Sequence, residues 1–124
     1  MDIPEKKDIR EANFQGVDLI EANLQGFNLQ EANLHGSNLE EANLREANFQ
    51  GANLIETNIE KATLQLAKLH LTYFKEANLH GSNLPGVDLY GADLQGSNFQ
   101  GANLQGSNFQ GANLYGANLQ EASL

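Results

Sequence analysis

Gly96-Ser97-Asn98-Phe99-Gln100-Gly101-Ala102-Asn103-Leu104-Gln105-Gly106-Ser107-Asn108-Phe109-Gln110-Gly111 is a five-residue phrase repeated three times, and its period decides the fold. Working outward from it, the register never slips: every fifth residue from Ile9 to Leu124 is Leu, Ile or Phe, 24 centres in all. Two residues before each centre stands a small residue, such as Ala12, Ala22, Ala32 and Ala42, with Ser37, Ser82, Ser97 and Ser107 as variants. Between the two lies Asn in 16 of 23 cases, with Asp18, Asp88 and Asp93 as acidic substitutes. Two residues after the centre comes Gly or Glu, except at 61, 66 and 71, and all twelve glycines fall there.

A period of five suits neither common element. On an α-helix, at roughly 100° per residue, successive centres would be rotated by about 140° and wind around the whole surface. In a flat strand an odd period sends successive centres to opposite faces. A corner after each short extended segment resolves the conflict. The small residue and the centre, two apart, both point inward, and the Asn between them points outward. A type II turn from centre to next small residue puts the Gly position third, where φ is positive. Leu84-Pro85-Gly86-Val87 adds Pro in second place, where its fixed φ suits the same turn. Gly fills the third place eight times in succession from Gly81 to Gly116. Glu21, Glu31, Glu41, Glu46 and Glu56 fill it earlier, and some of those corners are expected to adopt another turn type.

Four right-angled corners close one coil of 20 residues, so the 116 residues of 9–124 make just under six coils. At the strand spacing of about 4.8 Å the stack stands about 28 Å tall. The chain is thus expected to be all-β, a four-sided parallel β-helix. Residues 1–8 are expected to be a cap or lead-in, with bulky Phe27 in a normally small position near that end. A solenoid exposes its core at the ends. No cap follows Leu124, which leaves Leu104, Phe109, Leu114 and Leu119 as a candidate end-to-end contact in a homodimer.

The units Ala102-Asn103-Leu104-Gln105-Gly106 and Ala112-Asn113-Leu114-Tyr115-Gly116, together with Ala52-Asn53-Leu54, resemble the pentapeptide-repeat family, over about 93% of the chain. The resemblance implies a right-handed quadrilateral β-helix. It also implies kinship with a family abundant in cyanobacteria, most of whose members there have no assigned activity. Some bacterial members that protect against quinolones resemble duplex DNA in shape and charge and bind DNA gyrase. A DNA mimic acting on gyrase or another topoisomerase is therefore the alternative to a structural or protein-interaction module. Against it, the second half here is almost uncharged, and no helical C-terminal dimerisation segment is present.

Charge and composition narrow the function classes. The net charge of −9 argues against direct nucleic-acid binding. Residues 1–60 hold twelve acids against four bases, whereas 61–75 hold Lys61, Lys68 and Lys75 with no acid. With no Cys, a disulfide framework and a thiolate metal site are both excluded. The N-terminus lacks the apolar core of a signal peptide, and no stretch reaches membrane-helix length. A cytoplasmic protein acting on an unidentified protein partner, with no membrane contact, is the expectation.

No catalytic constellation, cofactor site or metal site is expected. His35, His70 and His80 follow centres, face solvent, and fall in three different columns when the chain is folded by 20. The inward serines read as space-fillers. Glu40, Glu41 and Glu60 gather near Lys61 and His80, with a stacked Glu41–Lys61 pair, but on a convex face that offers no pKa-shifting cleft. Glu56 and Glu76 stack without a base between them. The outward Asn columns read as ladders of stacked amides. The informative irregularity is 61–75: Leu64, Leu69 and Phe74 keep the inward pattern, Leu66 and Leu71 replace Gly or Glu at corners, and Lys68 and Tyr73 replace Asn. Leu66, Lys68, Leu71 and Tyr73 are the candidate partner-binding strip, with local decay of the repeat, including a bulge, as the competing reading.

Overall fold

The computed structural model describes residues 7–124; residues 1–6, and with them most of the expected lead-in, lie outside the described residues. Parallel bridges join each residue in the Asn position to the one twenty residues later, from Asp8↔Asn28 to Asn103↔Ser123. Six coils therefore stack, 7–26, 27–46, 47–66, 67–86, 87–106 and 107–124. We number the four sides by the centres of the first coil: Ile9 on the first, Phe14 on the second, Leu19 on the third and Leu24 on the fourth. Each side is tied to the next coil by reciprocal main-chain bonds. Leu34 N–H donates to the Asn53 carbonyl (2.8 Å), and Asn53 N–H donates back to Ala32 (2.9 Å). The period holds through the irregular repeats: Lys68 bridges Asn48 and Asp88, and Tyr73 bridges Asn53 and Asp93, so no bulge interrupts the stack.

The corners are uniform, which corrects the expectation for the glutamates. The third turn residue has φ of 65–73° at the twelve glycines and 57–60° at eleven other residues, Glu21, Glu31, Glu41, Glu46 and Glu56 among them. A positive φ costs an L-residue about 1–2 kcal/mol. Hydrogen bonds from the stack impose it nonetheless: Glu41 N–H donates to Glu60 in the next coil (2.9 Å), and Ala42 N–H closes the corner on Leu39 (3.0 Å). The turn type is set by the coil, and Gly is preferred there but not required.

Inside, the centres and small residues form one continuous core. Its six phenylalanines are distributed one to a coil, at Phe14, Phe27, Phe49, Phe74, Phe99 and Phe109. Phe49, Phe74 and Phe99 are fully buried and lie on three different sides. Phe27, in a small position, is the aromatic of the second coil and is buried as well. Inward hydroxyls close on the corner they follow: Thr57, Thr72, Ser82 and Ser97 each donate to the carbonyl three residues back, at 2.6–2.7 Å. Ser37 Oγ is buried without a partner.

At the last coil Phe109, Leu114 and Leu119 are half-buried and Leu124 is 74% exposed. Leu104 is not part of that open face. Residues 123–124 continue its column, Leu104 N–H donates to Ser123 (2.7 Å), and Leu104 is only 1% exposed. Of the four residues expected at the open end, Leu104 is therefore covered, whereas Phe109, Leu114 and Leu119 are partly exposed.

Candidate interaction surface

The strip residues follow one another around the stack, Leu66 closing the third coil and Lys68, Leu71 and Tyr73 opening the fourth. Leu66 sits at the corner between the fourth and first sides, Lys68 in the middle of the first side, Leu71 at the next corner and Tyr73 in the middle of the second side. Leu66, Leu71 and Tyr73 are 59%, 48% and 52% exposed, and Lys68 is also exposed. Positive φ aims corner side chains toward the following coil. The Leu66 Cδ2 lies 3.2 Å from where a Cβ on Gly86 would stand, and the Leu71 Cδ2 lies 2.8 Å from the same point on Gly91. The glycines one coil on leave room for these leucines. Tyr90, beside Gly91, is 47% exposed and extends the apolar surface into the fifth coil. Sequence reasoning passed over Tyr90 because it is regular within the five-residue unit; only the twenty-residue column places it beside His70 and Leu71.

Around this strip the corner hydrogen bonding is thinner. Elsewhere an Asn or Asp Oδ1 accepts the N–H two residues on, as at Asn58 to Glu60 (3.1 Å) and Asn78 to His80 (3.1 Å). Lys68 and Tyr73 offer no acceptor there, and the Thr63 hydroxyl is directed at the Ala42 carbonyl (3.5 Å) instead, so the N–H groups of Gln65, His70 and Lys75 lack that bond at three successive corners. Pro85, at another corner, has no N–H to satisfy.

The histidines stand on three different edges, each facing a carboxylate of the adjacent coil: His35 to Glu56 at 3.8 Å, His70 to Asp88 at 3.9 Å and His80 to Glu60 at 3.4 Å. His70 departs from the expected solvent-facing placement. Its side chain is 24% exposed, and its Nδ1 is buried without a hydrogen-bond partner. Among the described residues, no three His, Asp or Glu side chains are gathered where they could hold a metal ion.

Glu40, Glu41, Glu60 and His80 do share one edge, but Glu41 and Lys61 form no ion pair. Lys61 leans away toward the next coil, its Cγ 3.6 Å from a Cβ position on Gly81. Two open hollows lie near the first coil, lined by Lys7, Asn23, Gln25, Gly26, Phe27 and Glu46 and by Asp8, Arg10 and Glu11. Neither contains that acidic edge. In the second hollow the Arg10 guanidinium donates to Asp8 at 2.9 Å and holds its carboxyl below the usual carboxylate range. Among the described residues no helix is long and apolar enough to cross a membrane.

Comparison with known proteins agrees with this geometry. The family model for pentapeptide repeats matches residues 12–51, 32–70, 72–111 and 88–124. No curated protein sequence matches. Among solved structures, a pentapeptide repeat protein from the thylakoid lumen of Arabidopsis thaliana aligns at 27% identity and a TM-score of 0.74, over 77% of this chain and 67% of that one. Rfr23, a pentapeptide repeat protein of the cyanobacterium Cyanothece 51142, aligns at 28% identity and a TM-score of 0.52, over 94% and 90%. QnrB1, a plasmid-mediated fluoroquinolone resistance protein, aligns at 17% identity and a TM-score of 0.58, over 93% of this chain and 64% of that one. At that identity the likeness concerns the fold alone.

Proposed function

The chain belongs to the pentapeptide-repeat family, whose right-handed quadrilateral β-helix it adopts, and from that premise we propose that it is a non-enzymatic module that engages a protein partner through its surface. The observation that carries this reading is the exposure of Leu66, Leu71 and Tyr73 within eight residues of chain, with Tyr90 exposed one coil beyond His70. Contiguous exposed apolar side chains on a soluble protein favour contact with a partner. Catalysis, by contrast, calls for a cleft that shifts the pKa of acid–base groups, and the edge with Glu40, Glu41 and Glu60 is convex. The cytoplasm as its location belongs to the same proposal.

Affinity capture from the source-cell lysate tests this reading, with the wild-type chain beside a Leu66→Glu/Leu71→Glu/Tyr73→Asn variant. A partner held by the wild type and lost by the variant supports it. A partner held equally by both moves the contact to the Asn or acidic faces.

The second reading, a DNA-mimicking protein acting on a topoisomerase, draws on the fluoroquinolone resistance of a protein that shares the fold and on one acidic edge. Glu21, Glu40, Glu41 and Glu60 follow one another along the third side's corner over three coils. Lys61, His80, Gln100 and Gln120 then continue that corner without acid until Glu121. A duplex mimic calls for charge along its length, so the module reading is favoured. A gyrase supercoiling assay unchanged by the chain, with and without a quinolone, removes the second reading.

A further inference from the structure

The strip is matched by changes in the coil above it. In the Asn position Oδ1 accepts a local N–H, and at nine positions, though not at Asn28, Asn38, Asn48, Asn53 or Asn83, Nδ2 also reaches back to the Oδ1 one coil earlier. Asn58 donates to Asn38 and Asn103 to Asn83, both at 3.2 Å. An amide reaching back to Lys68 or Tyr73 would find no oxygen to accept it. One coil later both columns carry Asp, which has no amide to leave unpaired. Asp88 and Asp93 still accept Tyr90 N–H (3.0 Å) and Gln95 N–H (3.2 Å). They also accept Asn108 Nδ2 (3.2 Å) and Asn113 Nδ2 (3.5 Å) from the coil that follows. Asp otherwise occupies this position only at Asp8 and Asp18, in the first described coil. Both acids stand one coil beyond Lys68 and Tyr73, whereas the third departure, Thr63, whose hydroxyl can still accept, is followed by Asn83.

The main chain is also drawn out here. The four longest main-chain hydrogen bonds among the described residues are Asp88 N–H to Ala67 (3.4 Å), Gly51 N–H to His70, Leu66 N–H to Pro85 and Thr72 N–H to Leu69 (3.3 Å each). All four involve the strip coil or its corners. Finally, residues 61–75 carry +3, so the rest of the chain carries −9 − 3 = −12. Lys68 and Lys75 form no ion pair among the described residues.

We propose that this surface docks an acidic, apolar-anchored segment of a protein partner, with Leu66, Leu71, Tyr73 and Tyr90 receiving its apolar side chains and Lys68 and Lys75 its carboxylates. This refines the interaction-module reading and rests on it. Opposite charge at Lys68 and Lys75 favours encounter, and the acids of the first three coils disfavour the same segment there. Aliphatic and tyrosine anchors beside two ammonium groups suit a peptide. A nucleic acid or an anionic bilayer would meet two cations on a chain of net charge −9, far from the basic footprint such ligands need.

Selection from a random peptide library displayed on phage, against the immobilised full chain, provides the test. Enriched peptides are expected to combine Asp or Glu with two or more large apolar residues, and to lose affinity as salt rises. They should bind Lys68→Glu/Lys75→Glu about tenfold more weakly or worse, and Leu71→Glu/Tyr73→Asn likewise. Both variants alter exposed side chains, and an unchanged thermal unfolding curve shows that they fold. Peptides of neutral or basic character that still need Leu71 and Tyr73 overturn the acidic-partner inference while leaving the module reading intact. No enrichment, or peptides indifferent to all four substitutions, overturns it together with the strip. Lys68-dependent binding of duplex DNA or of phosphatidylserine vesicles, stronger than that of any peptide, overturns it in favour of those ligands.

Discussion

At each corner one residue is held at positive φ, and the space beside it differs from corner to corner. A Cβ on Gly101 would meet nothing within 4 Å, so Gly101→Ala should lower stability through backbone strain alone, by about 1 kcal/mol. Gly91→Ala adds a clash with the flexible end of Leu71. It should cost a few tenths of a kcal/mol more, an excess that a double-mutant cycle with Leu71→Ala abolishes. Denaturant unfolding of the four proteins measures this. The inward hydroxyls give a paired prediction of opposite sign. Ser97→Ala loses a 2.6 Å hydrogen bond and should cost about 1 kcal/mol, whereas Ser37→Ala removes a buried hydroxyl without a partner and should be neutral or stabilising. The Gly position was legible in the sequence because turn chemistry is local. That Glu, Lys and Leu would share its φ was not, because an isolated turn obeys residue preference whereas a stacked one obeys the hydrogen bonds of its neighbours.

A side of the coil is a single bridging residue held by its Asn. Asn78 shows the full set: Oδ1 accepts from His80 N–H and Asn98 Nδ2, and Nδ2 donates to Asn58. Asn78→Ala should destabilise by about 1–2 kcal/mol. Asn78→Asp, which keeps both acceptor roles and loses only the donor, should cost less, and thermal unfolding ranks the two. Asn was legible as an outward ladder residue from its fixed place in the repeat. The direction of the ladder was not, since a five-residue period carries no information on which coil donates and which accepts. The pairing of Lys68 with Asp88 and of Tyr73 with Asp93, and the inclusion of Tyr90 in the surface, follow from the twenty-residue column and not from the five-residue unit. The strip itself was legible as a break in the pattern at Leu66, Lys68, Leu71 and Tyr73. The fault in the end contact lay in counting coils: Leu104 is covered because the last coil reaches Leu124.

Across the whole molecule, six phenylalanines serve six coils, one each. A four-sided core with one aromatic ring per layer has little room for a second, so Leu54→Phe, in the coil that already holds Phe49, should cost about 1–3 kcal/mol by overpacking. Exchanging the two, Phe49→Leu with Leu54→Phe, should recover most of that loss, and unfolding midpoints of the three proteins decide it. The same stacking makes the exterior a fixed grid, on which the apolar side chains of 66–73 and Tyr90 form one patch and the acids of the first three coils another.

Whether a partner reads that patch is the central claim, and amide hydrogen exchange of the chain with and without its captured protein partner tests it most directly. The account predicts new protection confined to residues 65–75 and 88–91, where the corners lack their Asn hydrogen bonds and the main-chain bonds are longest. Protection along the Asn78–Asn118 side or the Glu21–Glu60 edge, with residues 65–75 unchanged, would contradict it.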